Sequence, residues 1–118
     1  MIKLSSLNSD GEFKKLLRLK KIHNNSFTIY FGKIYTNENN KDFKISIVAK
    51  KKIGNAVKRN RIKRKLRSAV QKNLNKTILK KKKYGFLIIA KTKAYGEKFS
   101  VLSTQVYKAF EKIEKIIN

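Results

Sequence analysis

The stretch GNAVKRNRIKRKLRSAV, residues 54–70, constrains the fold of this chain more than any other. Seven of its seventeen residues are Lys or Arg and none is acidic. Its apolar residues still recur at helical spacing: Ile62, Leu66, Ala69 and Val70 stand at i, i+4, i+7 and i+8, a stripe that a core must cover. On a wheel of about 100° per residue, Asn60, Arg64, Arg67 and Gln71 fall opposite Ile62. Arg61 and Lys63 flank that polar line. Arg59 points nearer the apolar stripe and must reach out from the first turns. Such a helix has two demands: a core on one side, and on the other a polyanion that offsets its self-repulsion.

The charge of the whole chain points the same way. Its 118 residues carry 31 Lys and Arg against 7 Asp and Glu, a formal net charge of +24. From Phe43 to Gly96 there is no acidic residue at all. Nucleic acid is the partner such a balance implies. A membrane surface fits less well, because a membrane binder pairs one basic helix with aromatics on its other face. Arginine use is sharper still: 26 Lys stand against 5 Arg, yet Arg59, Arg61, Arg64 and Arg67 fall inside nine residues, leaving only Arg18 elsewhere. In a chain with the Lys, Asn and Ile bias of an AT-rich genome, arginine appears where a planar fork grips phosphate or stacks on bases. Lys50, Lys51 and Lys52 lie just before the helix, where unpaired backbone N–H groups favour an anion, and Asn55 is the expected N-cap. The plain alternative for a charge run is a solvated face. Clustered arginines, an acid-free middle and the net charge weigh against it.

Composition also excludes chemistry. There is no cysteine, and His23, a turn residue by its neighbours, is the only histidine. A thiolate site and a His pair for a metal are therefore excluded, and a conventional Ser-His relay is not expected. A nuclease with its own Mg²⁺ site needs clustered carboxylates, and the most basic half of the chain has none. No apolar run approaches about 18 residues, and the N-terminal MIKLSSLNSDGEF lacks a signal-peptide core, so a cytoplasmic protein is expected.

One domain over residues 1–118 is the expectation for this length. Residues 9–22 (SDGEFKKLLRLKKI) read as a short helix capped by Ser9 or Asp10, with Phe13, Leu16 and Leu17 on one face and the stems of Lys20 or Lys21 beside them. Residues 26–35 (SFTIYFGKIY) read as a strand, residues 37–41 (NENNK) as a turn, and residues 43–49 (FKISIVA) as a second strand antiparallel to the first. The basic helix runs from Asn55 to about Leu74. Residues 80–83 form a basic turn, and residues 84–91 (YGFLIIAK) a strand covered on both faces. A closing helix over residues 100–117 turns Leu102, Val106, Ala109 or Phe110, Ile113 and Ile117 to one side. The predicted class is α+β: a small mixed sheet of three to four strands packed with three helices, in the order α-β-β(-β)-α-β-α.

The segment Lys51-Lys52-Ile53-Gly54-Asn55-Ala56-Val57, followed by Arg59-Asn60-Arg61, Lys63-Arg64 and Arg67, resembles the signature of the bacterial ribonuclease P protein family. That signature is an Arg-Asn-Arg motif after a Lys-Lys-x-Gly-Asn-Ala-Val segment. Phe13, the aromatic strand from Phe27 to Tyr30 and the strand from Phe86 to Ala90 are similar to the family more loosely. The resemblance implies a protein that joins a catalytic RNA and helps it remove the 5′ leader of precursor tRNA. The RNA would hold the Mg²⁺ ions and perform the hydrolysis, and the protein would bind no cofactor or small-molecule substrate of its own. It also implies RNA contacts at Lys51, Lys52, Asn55, Arg59, Asn60, Arg61, Lys63, Arg64 and Arg67, and a left-handed β-α-β crossover around the basic helix. A leader cleft between the first helix and the sheet would use Phe13, Tyr30 and Phe86. By spacing alone these three aromatics serve a core as readily as a cleft. The chain departs from the family at Ser6, at Leu17 and in Ile47-Val48-Ala49-Lys50, where basic, aromatic and hydroxyl residues are usual. A different function class, a non-enzymatic RNA-binding protein such as a ribosomal protein or RNA chaperone, matches the composition but not the Arg-Asn-Arg signature.

Overall fold

The computed structural model describes residues 4–5, 20–33, 43–81 and 84–117. A five-stranded mixed sheet is built from β1 (Leu4–Ser5), β2 (Lys20–His23), β3 (Phe27–Lys33), β4 (Phe43–Val48) and β5 (Tyr84–Ala90), in the spatial order β1-β4-β5-β3-β2. Two long helices, α1 (Ala56–Asn73) and α2 (Phe99–Ile117), complete it. The α+β class stands as expected. No helix among the described residues is long and apolar enough to cross a membrane.

The strand order explains where α1 sits. Strands β4 and β5 are parallel neighbours, with Ile45 opposite Phe86 and Ile47 opposite Ile88. Parallel neighbours need a crossover, and α1 lies in that β-α-β connection. Strand β3 pairs with the other edge of β5, antiparallel, with Ile29 opposite Ile88. So β3 and β4 do run in opposite directions, as the sequence predicts, but β5 stands between them. The near-continuous apolar run of β5 suits that central place: Phe86, Leu87 and Ile88 are all fully buried, which takes cover on both faces.

One expectation is corrected. Lys20 to Ile22, the end of the predicted first helix, instead forms an edge strand with His23, pairing with β3 from Lys20 opposite Phe31 to His23 opposite Thr28. A local turn decides it. Asn24 Oδ1 accepts hydrogen bonds from the N–H groups of Ser26 and Phe27, each at 2.8 Å, and Asn24 N–H donates to Phe27 O at 3.0 Å. This Asx turn folds the chain back into a hairpin. His23, expected in a turn, ends β2, and its Nδ1 lies 3.0 Å from Thr28 Oγ1. The rest of the predicted first helix, including Phe13, and the turn over residues 37–41 lie outside the described residues.

Both helices pack on one face of the sheet. Strand residues of that face, Phe27, Ile29, Phe31, Ile45, Phe86 and Ile88, form a single core with Ile62, Leu66, Ala69 and Val70 of α1. From α2 the core takes Leu102, Val106, Ala109, Phe110 and Ile113. Phe43 and Phe86 stack at 4.9 Å, with Phe110 tilted against both. A buried polar bridge ties the helices together: Asn73 Nδ2 donates to Ala69 O, Ser103 O and Ser103 Oγ at 2.8, 3.0 and 3.2 Å. Glu114 reaches back to accept from the Thr77 hydroxyl and from Ile78 N–H.

Candidate nucleic-acid interface

Burial of one stripe decides what α1 presents on the other. With Ile62, Leu66, Ala69 and Val70 at 0% exposure, the helix cannot rotate, and Asn60, Arg61, Arg64 and Arg67 stand exposed. Lys63 is half-buried on the flank. Arg59 is also half-buried, as its place near the stripe predicts, and its Nε is buried without a hydrogen-bond partner among the described residues. No Asp or Glu occurs between residues 43 and 96, so nothing within this segment neutralises the face.

The approach to α1 is a short 3₁₀ turn, Lys51–Ile53. Ile53 anchors it in the core at 4% exposure, which leaves Lys51 and Lys52 outward and exposed. Gly54 then takes φ 156° and ψ −165°, a region essentially closed to residues with a side chain. Asn55 is the N-cap: its Oδ1 accepts from Lys58 N–H at 2.9 Å. The cap carbonyl group is thus committed to the helix, as capping residues are. The run Gly54-Asn55 therefore aims the two lysines and the first turn of α1 along one side of the molecule.

Beside this approach, on the sheet face away from the helices, lies a cleft of about 270 Å³. Thr28, Tyr30, Lys50, Lys52, Lys91 and Thr92 line it. Tyr30 is half-buried, and Lys21 Nζ sits 5.9 Å from its ring centroid. Lys91 is held by its Nζ donating to Asn24 O at 2.7 Å. Lys52 belongs both to this cleft and to the approach of α1, so the two are continuous; the expected cleft between the first helix and the sheet involves residues outside the described ones. A phenol ring beside several ammonium groups offers stacking and phosphate neutralisation, the two needs of a single strand.

The three cleft aromatics fare differently. Tyr30 lines the cleft, and Phe13 lies outside the described residues. Phe86 is corrected: at 0% exposure it stacks on Phe43 in the core. Register gives the reason. Tyr30 is opposite Leu87, so Leu87 shares its face and Phe86, one residue earlier, points to the other. Ile89, two residues beyond Leu87, lines the cleft.

Sequence reasoning missed Lys91 and Thr28, which only the pairing of β3 with β5 brings to Tyr30. It also missed that Lys58, Lys65 and Lys72, spaced at seven, form a seam along α1 toward the segment leading into α2. Lys58 Nζ lies 4.5 Å from the Tyr95 ring centroid. Lys65 Nζ donates to Tyr95 O at 3.3 Å and Glu97 O at 2.5 Å. Lys72 Nζ lies 5.6 Å from the Phe99 centroid. The seven-residue spacing was a readable signal for one shared side of the helix.

Comparison with known proteins agrees with this geometry. A family model described as Ribonuclease P matches residues 1–114. The ribonuclease P protein component of Macrococcus caseolyticus is 32% identical over 117 residues, covering 98% of this chain and 92% of that protein. That of Streptococcus agalactiae is 38% identical over 92 residues, 77% of each chain. Among solved structures, the RNase P protein from Thermotoga maritima superposes with a TM-score of 0.73 at 21% identity, covering 92% of this chain and 96% of that one. The RNase P protein of Staphylococcus aureus gives 0.65 at 23% identity, over 96% and 94%. These two likenesses concern the fold.

Proposed function

The chain belongs to the ribonuclease P protein family, and from that premise we propose that it is the protein subunit that joins a catalytic RNA and assists removal of the 5′ leader from precursor tRNA. The observation that carries the reading is the exposed line of Asn60, Arg61, Arg64 and Arg67 on a helix whose other face is fully buried. This is a row of polar donors held outward by the buried stripe, three of them guanidinium forks, and guanidinium groups suit phosphate recognition. Lys51, Lys52, Asn55, Arg59 and Lys63 extend that contact around the helix entrance. The Tyr30 cleft, joined to it through Lys52, takes the single-stranded leader.

The hydrolysis belongs to the RNA. Mg²⁺ ions that activate water need anionic oxygens to hold them, and the RNA-facing half of this chain contributes no carboxylate. The protein's part is to neutralise phosphates, orient the two RNAs and lower the Mg²⁺ concentration the reaction requires. The site of action is the cytoplasm, where precursor tRNA is made.

The test is reconstitution. Precursor tRNA is incubated at low Mg²⁺ with the protein, with the catalytic RNA of the same organism, and with both. Cleavage at the 5′ end stimulated only by the mixture is the expected result. Cleavage by the protein alone would place the chemistry in the chain. Binding without stimulation would make it a non-enzymatic RNA-binding protein.

A further inference from the structure

Beyond the arginine face and the Tyr30 cleft, the molecule carries a third basic concavity. Between the end of α1 and the first turns of α2 runs a groove of about 400 Å³. Its floor is the Asn73–Ser103 bridge, whose amide N–H groups are committed inward to Ala69 and Ser103. One wall carries Lys72 and Lys76, both exposed. The other carries Thr104 and Tyr107, which share one line of α2 with Ser103.

Two features need an explanation. Tyr107 is 40% exposed and Phe99, at the head of the same helix, 38% exposed, although α2 has a separate fully buried stripe for its apolar residues. Both stand beside cations: Tyr107 faces Lys72 and Lys76 across the groove, and Lys72 also lies over Phe99. No carboxylate lines the groove. Glu111 continues the line of Tyr107 one turn further on, which confines the seat for an anion to the Lys72 and Lys76 side. An ammonium wall opposite an exposed ring is the pairing that seats one unpaired nucleotide, its phosphate on the cations and its base on the π-face. With the floor amide turned inward, the groove offers stacking and charge more than base-edge recognition. Any of the four bases would do.

The groove is also continuous with the face already described. Arg61 and Lys72 are eleven residues apart and therefore share one side of α1, with Lys65 between them. An RNA lying on the arginine face reaches the groove along this side of α1, past Lys65 and the Glu97 backbone carbonyl that it holds.

We propose that this groove is a further RNA subsite, in which an unpaired nucleotide of the catalytic RNA stacks on Tyr107 and sets its phosphate between Lys72 and Lys76. The subsite rests on the reading of α1 as the face that holds the catalytic RNA.

The experiment measures affinity of the full-length protein for the catalytic RNA of the same organism at fixed Mg²⁺, across a salt series. Tyr107→Ala weakens binding about tenfold, the loss of one stacked base. Tyr107→Phe, which keeps the ring, stays within about twofold of the unaltered protein on the same argument. Lys72→Gln with Lys76→Gln lowers the salt slope by about 0.7 to 0.9, the contribution of the one phosphate the two lysines share. Lys112→Gln, on another side of α2, changes neither. Far-UV circular dichroism checks the fold; should Tyr107→Ala disturb it, the paired lysine variant decides alone. The subsite is overturned if Tyr107→Ala binds as well as the unaltered protein, if Tyr107→Phe loses as much as Tyr107→Ala, or if the lysine pair leaves the slope unchanged. It is overturned as a catalytic-RNA site if the Tyr107→Ala holoenzyme assembles normally but binds precursor tRNA more weakly. Arg64→Ala separates the two readings. If it weakens binding and Tyr107→Ala does not, only the subsite falls; if the unaltered protein does not bind the catalytic RNA, both fall.

Discussion

Helices α1 and α2 solve the same packing problem and differ in almost everything else. Each lays four or five apolar residues on the same face of the sheet, all at 2% exposure or less. Outside, α1 carries Lys58, Arg59, Arg61, Lys63, Arg64, Lys65 and Arg67 with no acid. Its like charges meet at helical neighbour spacing, as in Arg61–Arg64, Arg64–Arg67 and Lys63–Arg67, and each such pair costs a few tenths of a kcal/mol. The outer face of α2 mixes Lys108, Glu111, Lys112, Glu114 and Lys115, with Glu111 four residues ahead of Lys115, the favourable order. The inner faces make the fold, and they are interchangeable in kind. The outer faces show that α1 holds a charge arrangement which disfavours the free protein and which only a polyanion turns to advantage.

The inner faces give the largest expected effects. Leu66→Ala and Leu102→Ala should each destabilise the protein by about 3 kcal/mol, because both leucines are fully buried and leave a cavity. Urea denaturation measures this. A much smaller loss at Leu66 would mean that α1 is not docked as the equal of α2. Next in size is the outer face. Arg64→Ala and Arg67→Ala should each weaken binding to the catalytic RNA about tenfold, the worth of one hydrogen bond to a charged group, whereas Lys112→Ala stays within about twofold, as an exposed charge off the interface should. Equal losses at a common salt concentration would erase the distinction between the helices.

The glycines that precede the two helices sharpen the comparison. Gly54 holds φ 156°, and a Cβ there would meet Lys58 Cδ at 2.6 Å. Gly96 has φ −89° and open space around it. Gly54→Ala should cost about 1–3 kcal/mol, chiefly from backbone strain, since the Lys58 side chain can move aside. Gly96→Ala should be neutral or stabilise by about 0.4–1 kcal/mol through the unfolded chain. Thermal unfolding of both variants checks the pair, and a benign Gly54→Ala would remove the reason for glycine before Asn55.

What was legible in the sequence follows from the range of the forces involved. The ends of α1, its Asn55 cap and its buried stripe are local, so spacing alone revealed them, and with them the outward place of Asn60, Arg64 and Arg67; Gln71, expected on the same line, is half-buried. Phe86 was misplaced because its face depends on register with Tyr30 across β3 and β5, and a shift of one residue inverts a strand. Lys20 to Ile22 continued an apolar pattern that a helix and an edge strand share. The Asn24 side chain, bonding two backbone N–H groups, tipped the choice. The insertion of β5 between β3 and β4, and the convergence of Lys91 and Lys52 on Tyr30, arise from pairings many residues apart that no window of sequence contains.

The smallest effect is the most direct probe of the two outer faces. Arg64→Gln removes two like-charge repulsions, with Arg61 and with Arg67, whereas Lys115→Gln removes the partner of Glu111 and a cation from the last turn of α2, where the helix dipole favours one. Both variants lower the net charge of +24 by one, so the relief of overall repulsion is common to the two and cancels in their difference. What remains is local. In low salt, Arg64→Gln should be the more stable by about 0.5 kcal/mol. In 1 M NaCl, where the screening length is only about 3 Å, the gap should close. Urea midpoints at the two salt concentrations measure it. Adding the catalytic RNA should then reverse the order, because Arg64→Gln loses a phosphate contact and Lys115→Gln loses none. A gap that persists in high salt would trace to packing, and an order that RNA does not reverse would remove α1 from the interface.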